Sequence, residues 1–170
     1  MNKRGFTLIE TLIYITIIGG VMLAFVSFAL HISDSRNKTY VVQEVQANAR
    51  VALDLISQKI EAANGVNLDS STFALDPGVL SLSMASISLN PTVIDLSVDD
   101  GVLQINQGTS GAIPITSDEV RVTNLVFTNL TGGASKENIG VALTVEFNNF
   151  DGDVEFSYDQ SLQTAVSLRQ

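Results

Sequence analysis

Between Thr11 and Ser33 the chain carries no Asp, Glu, Lys or Arg, and the run is rich in Ile, Leu, Val and Phe. About 20 apolar residues are enough for a helix to cross the hydrocarbon core of a bilayer, so the run predicts a membrane span. A buried core helix of a soluble domain is the alternative, but such helices rarely go six turns without a charge. Lys3 and Arg4 stand in front of the run, which keeps the extreme N-terminus cytoplasmic and sends the rest outward. Ser27-Phe28-Ala29 has the small-x-small form of a signal-peptidase site. The apolar run, however, exceeds the usual secretory core of about 7–15 residues, and no Pro or Gly stop follows it. Glu10 sits at the entrance of the run. An ionised carboxylate there is costly unless it is paired, which makes Glu10 a functional candidate.

After a polar patch, Ser33 to Lys38, apolar residues return at helical spacing: Val41, Val45, Ala49, Ala52/Leu53, Ile56, Ile60 and Ala63. Glu44, Gln46, Asn48, Arg50, Asp54 and Lys59 fall between them. This is an amphipathic stripe, apolar toward a partner and polar toward water. Asn64-Gly65 predicts a C-terminal cap with the glycine at positive φ. A rod from Phe6 to Ala63 would be about 87 Å long at 1.5 Å per residue. Gly19-Gly20 lies inside the first half, each glycine costing roughly 1 kcal/mol relative to Ala. The pair reads either as a softening point or as a close helix–helix contact.

Beyond Gly65 the period changes to two. Leu80, Leu82 and Met84 alternate with small polar residues, as do Ile94, Leu96 and Val98. Asp99-Asp100-Gly101 reads as a hairpin turn before Leu103 and Ile105. Val120-Arg121-Val122 leads into Leu125-Val126-Phe127, and Val141, Leu143, Val145 and Phe147 alternate. Val154, Phe156 and Tyr158 read as a short strand, and Leu162, Thr164, Val166 and Leu168 as the last. The fold class expected is α+β: a long N-terminal helix packed on a mostly antiparallel sheet with one face buried. The division expected is residues 1–5 as leader, 6–33 as membrane helix, 34–64 as amphipathic helix and 65–170 as the sheet-bearing head.

Charge separates the halves. Residues 1–63 hold six bases and five acids, whereas residues 64–170 hold three bases (Arg121, Lys136, Arg169) and thirteen acids, a net of −10. A head of that sign repels nucleic acid and anionic membrane, so no nucleic-acid partner is expected. DNA capture would need a basic patch that three scattered bases do not offer. The chain has no cysteine and one histidine, His31, which removes thiolate nucleophiles and Cys-ligated zinc. It carries no His-Glu-x-x-His, P-loop or Gly-x-Ser-x-Gly; Gly108-Thr109-Ser110-Gly111 reads as a loop. No enzyme and no cofactor is expected. Asp151-Gly152-Asp153 and Asp99-Asp100-Gly101 offer clustered oxygens to a hard cation, but Asp and Gly are also what turns require. Asp151 and Asp153 are therefore only weak calcium candidates. Asn37-Lys38-Thr39 and Asn129-Leu130-Thr131 fit the glycosylation pattern, a match too short to use.

Lys3-Arg4-Gly5-Phe6-Thr7-Leu8-Ile9-Glu10, with the apolar helix directly behind it, resembles the cleavage and methylation motif of type IV prepilins and type II secretion pseudopilins. The resemblance implies a prepilin peptidase that cuts between Gly5 and Phe6 and methylates the new amino terminus of Phe6. It also implies assembly with other pilin or pseudopilin subunits on an inner-membrane platform, Glu10 meeting the terminal amine of a neighbour. The expected protein is a single-pass inner-membrane subunit with its head outside the cytoplasm, incorporated into a filament. Gly5 has no Cβ to obstruct extended backbone in a narrow peptidase cleft. The stretch Gln46 to Ile56 is similar to the helix of minor pilins and pseudopilins, and Gln163 to Arg169 to their final strand. Two other readings stay open: a DNA-uptake or adhesive pilin with a ligand-binding head, and a membrane-anchored protein with an ordinary signal peptide.

Overall fold

A computed structural model describes residues 5, 7–97, 100–133, 136–149 and 157–169. Helix α1 runs unbroken from Leu8 to Ala62, 55 residues or about 82 Å. The described helix begins two residues after Phe6, and it passes through Gly19 and Gly20 without interruption. Two compact units divide between Thr39 and Tyr40. In the first, the 18-residue window of highest apolarity has a mean hydropathy of 2.3 and none of it is buried within the protein. A core helix would be covered by its own fold, and this one is not.

In the second unit the stripe is buried as expected: Val41, Val45, Ala49, Ala52, Ile56, Ile60 and Ala63 are all within 2% of complete burial. They pack on strands whose alternation turns one side inward. The strands are β1 (Gly65–Val66), β2 (Leu80–Ser83), β3 (Thr92–Leu96), β4 (Leu103–Gln107), β5 (Ile113–Pro114), β6 (Val120–Asn129), β7 (Asn138–Phe147) and β8 (Asp159–Ser167). All described pairings are antiparallel. The single sheet expected is in fact two, of order β1-β2-β3-β4-β5 and β6-β7-β8. Leu80, Leu82, Ile94, Leu103 and Ile105 of the first join Leu125, Phe127, Val141, Leu143 and Val145 of the second in one core with the helix stripe.

The sheets are separate because loops, not a strand, occupy the free edge of β6. Ala74 N–H bonds Phe127 C=O at 2.8 Å, and Gly78 N–H bonds Leu125 C=O at 2.7 Å. Leu125 N–H in turn bonds an Asp76 carboxylate oxygen at 2.9 Å, and Val122 N–H bonds Gly101 C=O at 2.9 Å. The loop from 73 to 79 and the β3–β4 turn thus cap an edge that would otherwise invite foreign strands. Within β6, Val120 and Val122 face inward, and so do Leu125 and Phe127, although a strict period of two would turn the later pair outward. A register shift between Val122 and Asn124 corrects the parity, as a β-bulge does.

One turn reading changes. Gly65 is not at positive φ, which among the described glycines is found only at Gly101, Gly108, Gly132 and Gly133. The helix instead ends as the chain enters β1: Asn64 N–H bonds Ser83 C=O at 2.8 Å, and Gly65 pairs with Ser83. The pairing that takes up the helix end lies 18 residues ahead, beyond the reach of a cap rule. The hairpin between β3 and β4 forms, with Leu96 opposite Leu103 and Gly101 at φ 63°. Six residues, Ser97 to Val102, connect the two strands, and Gly101 lies close against Arg121 and Val122 of β6. A Cβ there would lie 2.7 Å from Arg121 Cγ. Val98, Asp99 and the expected strand residues Val154 and Phe156 lie outside the described residues, while Tyr158 precedes β8.

Candidate functional site

At the N-terminus, Gly5 is exposed and a Cβ added to it would meet nothing within 4 Å. Phe6, like Asp151 and Asp153 in the head, lies outside the described residues. Thr7 stands just before the first helical residue. Its Oγ1 accepts the Glu10 N–H at 3.3 Å, and its carbonyl accepts Glu10 N–H at 3.1 Å and Thr11 N–H at 3.2 Å. Thr7-Leu8-Ile9-Glu10 is therefore the sequence of a capping box, in which a Thr side chain satisfies an otherwise orphaned helix donor. Reading these residues only as a processing motif misses that second role. The signal, Thr and Glu three apart before an apolar run, is plain in the sequence.

Glu10 lies in the first turn of α1, where the helix dipole favours a carboxylate. The Tyr14 hydroxyl, one turn on, donates to Glu10 Oε1 at 3.4 Å. Leu8, Ile9, Leu12, Ile13 and Ile15 around it are all more than half exposed. The arrangement is a carboxylate held at the start of an uncovered apolar helix. It can balance a cation that arrives from outside the chain.

In the head, three polar side chains at i, i+4 and i+8 on α1 grip one turn between β5 and β6. The Tyr40 hydroxyl donates to Glu119 Oε2, and the Ser117 hydroxyl donates to Glu44 Oε1 at 3.2 Å. Asn48 Oδ1 accepts the Ser117 N–H at 2.9 Å, and Asn48 Nδ2 donates to Glu44 Oε1 at 2.8 Å. The Tyr40 ring meets Phe147 edge to face at 6.5 Å. The same turn receives Asn148 N–H on Glu119 C=O at 2.8 Å. The hydrogen bond to Glu119 is the first cause that pushes the Tyr40 pKa up to about 12; burial, and then the charges of Glu119 and Glu44, add to it.

Tyr40 is neutral below its pKa, and an unfolded tyrosine ionises near 10. The clasp therefore contributes its full stability below about pH 10 and loses it as pH climbs through about 12. Thermal melts of the full chain in detergent, at pH 9 and above pH 11, are expected to show a drop that is smaller in Tyr40→Phe. Equal drops would show that the clasp does not titrate.

A cleft of roughly 540 Å³ opens beside Asp100, Arg121, Glu146, Tyr158 and Asp159. Arg121 is paired with Glu146 there, its Nε 3.0 Å from Glu146 Oε1. One of the three bases of the head is thus neutralised by a neighbour. No group of three or more His, Cys, Asp or Glu placed to hold a metal occurs among the described residues.

A long apolar N-terminal helix, capped by Thr7, with Glu10 in its first turn and antiparallel sheets following it, is consistent with a pilin-like fold and fits a membrane-anchored protein of that class. Residues 1–26 match the family model described as the prokaryotic N-terminal methylation motif, which marks type IV pilin- and pseudopilin-like proteins. No curated protein and no solved structure matches the chain. The motif implies processing by a prepilin peptidase and assembly with other pilins. Proteins that carry it are structural rather than catalytic.

Proposed function

We propose that this chain is a structural subunit of a type IV pilus or type II secretion pseudopilus, and a minor one. A prepilin peptidase cuts between Gly5 and Phe6 and methylates the amine of Phe6. The subunit waits in the inner membrane with its head outside the cytoplasm. An assembly platform then draws it into a filament whose core is built from α1 helices. The observation that carries the reading is Glu10 in the first turn of an apolar helix whose most apolar stretch is not buried among the described residues, within a matched methylation motif. The exposed helix needs a greasy partner, lipid before assembly and other helices after it. The carboxylate needs a cation, and cleavage at Gly5 makes one on each neighbouring subunit. The minor role rests on the likeness of residues 46–56 to minor-subunit helices and on the absence of proline before Pro77.

Mass spectrometry of the mature protein from the cell envelope is the test. The expected terminus is N-methylated Phe6. A terminus just after Ala29 would replace this reading with an ordinary signal peptide.

A further inference from the structure

The head manages its sheet edges unequally. β1 and β5 are two residues each, and the free edge of β6 is capped by the 73–79 loop and Gly101. β8 is different. It is nine residues long, pairs only with β7 among the described strands, and contains no proline and no charge after Asp159. Natural edges of that length are usually blunted by charge, proline or a bulge.

The free backbone groups can be assigned. The β7–β8 register is continuous from Asn138↔Ser167 to Glu146↔Asp159. At its ends Phe147 N–H bonds Tyr158 C=O at 3.1 Å, and Leu168 N–H bonds Glu137 C=O at 3.0 Å. In an antiparallel ladder each residue turns both its N–H and C=O to the same side. Even-numbered residues from 158 to 168 therefore face β7, and Ser161, Gln163, Ala165 and Ser167 face away. Arg169 N–H, next in that outward row, is taken by the Glu61 C=O of α1 at 3.2 Å, which ends the open stretch.

We infer that the outer edge of β8 accepts an extended segment of a different polypeptide, uncharged along its middle and basic at the end beside Asp159, as an added strand. A second copy of this chain does not fit. Its other edges are two residues long or capped. Pairing β8 with β8 would need a two-fold axis between the copies. Such pairing would also bring together two heads of net −10 over residues 64–170. A strand that adds to β8 passes Asp159, which lines the cleft with Asp100 and the Glu146–Arg121 pair. A Lys or Arg there meets carboxylates that Arg121 does not already serve. Backbone pairing supplies the affinity of such an addition and the flanking charge its direction.

The test places a photoreactive benzoylphenylalanine at Ser161 of the full-length chain in cells and maps the adducts by mass spectrometry. The expected product joins Ser161 to an extended, basic-ended segment of another polypeptide. Gln163→Pro removes an outward N–H without touching the β7 ladder, so the adduct is expected to fall at least tenfold. Gln163→Lys leaves the backbone intact and puts a charge in the open row; it is expected to lower the adduct likewise, with the melting temperature of the head unchanged. Adducts that join only copies of this chain, adducts undiminished in both variants, or no adduct at all would overturn the inference. The terminus at Phe6 is read independently, so failure here leaves the filament reading standing.

Discussion

Glu10→Gln is expected to leave the subunit inserted in the membrane and processed, yet reduce its incorporation into filaments by a hundredfold or more. The glutamine keeps a side-chain acceptor for the Tyr14 hydroxyl, which lies 3.4 Å from Glu10 Oε1. It also leaves the Thr7 cap on the Glu10 N–H untouched. What it removes is the charge. If Glu10 served only its own helix, the loss would be the dipole contribution of a first-turn acid, about 0.3–1 kcal/mol. If it neutralises the terminal amine of a neighbour inside an apolar bundle, the variant strands a cation where water cannot reach it. Breaking a buried pair in that way costs about 3–5 kcal/mol, and each 1.36 kcal/mol is a factor of ten. The two roles thus differ by more than an order of magnitude in assembled subunit, measured as the ratio of filament-bound to membrane-bound chain. Wild-type incorporation of Glu10→Gln would remove charge pairing from the mechanism.

The largest stability effect is expected in the head, at Gly108→Ala. Gly108 follows β4 at φ 57°, a conformation that costs an L-residue roughly 1–2 kcal/mol. A Cβ there would also stand 2.3 Å from the Ser88 carbonyl oxygen and 3.0 Å from its carbon. Backbone is the obstacle, and it is tied down: Gly108 N–H bonds Pro91 C=O at 2.9 Å, and Thr92 Oγ1 bonds Leu89 C=O at 2.7 Å. Strain and overpacking together should cost about 3 kcal/mol or more. Gly133→Ala separates the two terms, since Gly133 has φ 88° but nothing within 4 Å of the added carbon. It should lose only the conformational part, about 1 kcal/mol. Melting of the full chain in detergent, followed by circular dichroism, measures both. Equal losses would mean that the loop carrying Ser88 yields.

The helix stripe and the β7 alternation were legible because each is dictated by a face that must be buried, and burial leaves a period in the sequence. Val41 to Ala63 and Val141 to Val145 show this directly. The end of α1 was legible to within a residue, at Ala62 against the expected Ala63, but the way it is made was not. Asn64-Gly65 has the composition of a cap, but Ser83 and Leu82 draw the chain into a strand instead. Nor could one sheet be told from two, since alternation records which side of a strand is covered and not which strand lies beside it. The grip of Tyr40, Glu44 and Asn48 on Ser117 and Glu119 joins residues about 70 positions apart, and polar side chains on a solvated helix carry no mark of their partners. At the N-terminus the opposite holds. The first turn of α1 is set by local order alone, because a helix cap is made by consecutive residues, here Thr7 to Glu10. The parity break between Val122 and Leu125 was visible in the sequence as well; its meaning came only with the bulge.

The stitching of β6 by Ala74, Asp76, Gly78 and Gly101 inverts a common expectation about connecting segments. Most surface connections drift freely in length over evolution, since little depends on their main chain. Here two of them serve as the missing neighbour of a strand, so inserting or deleting a residue in either would shift donors and acceptors out of step with β6. Variation among descendants of this chain should therefore spare these two connections and gather elsewhere on the head.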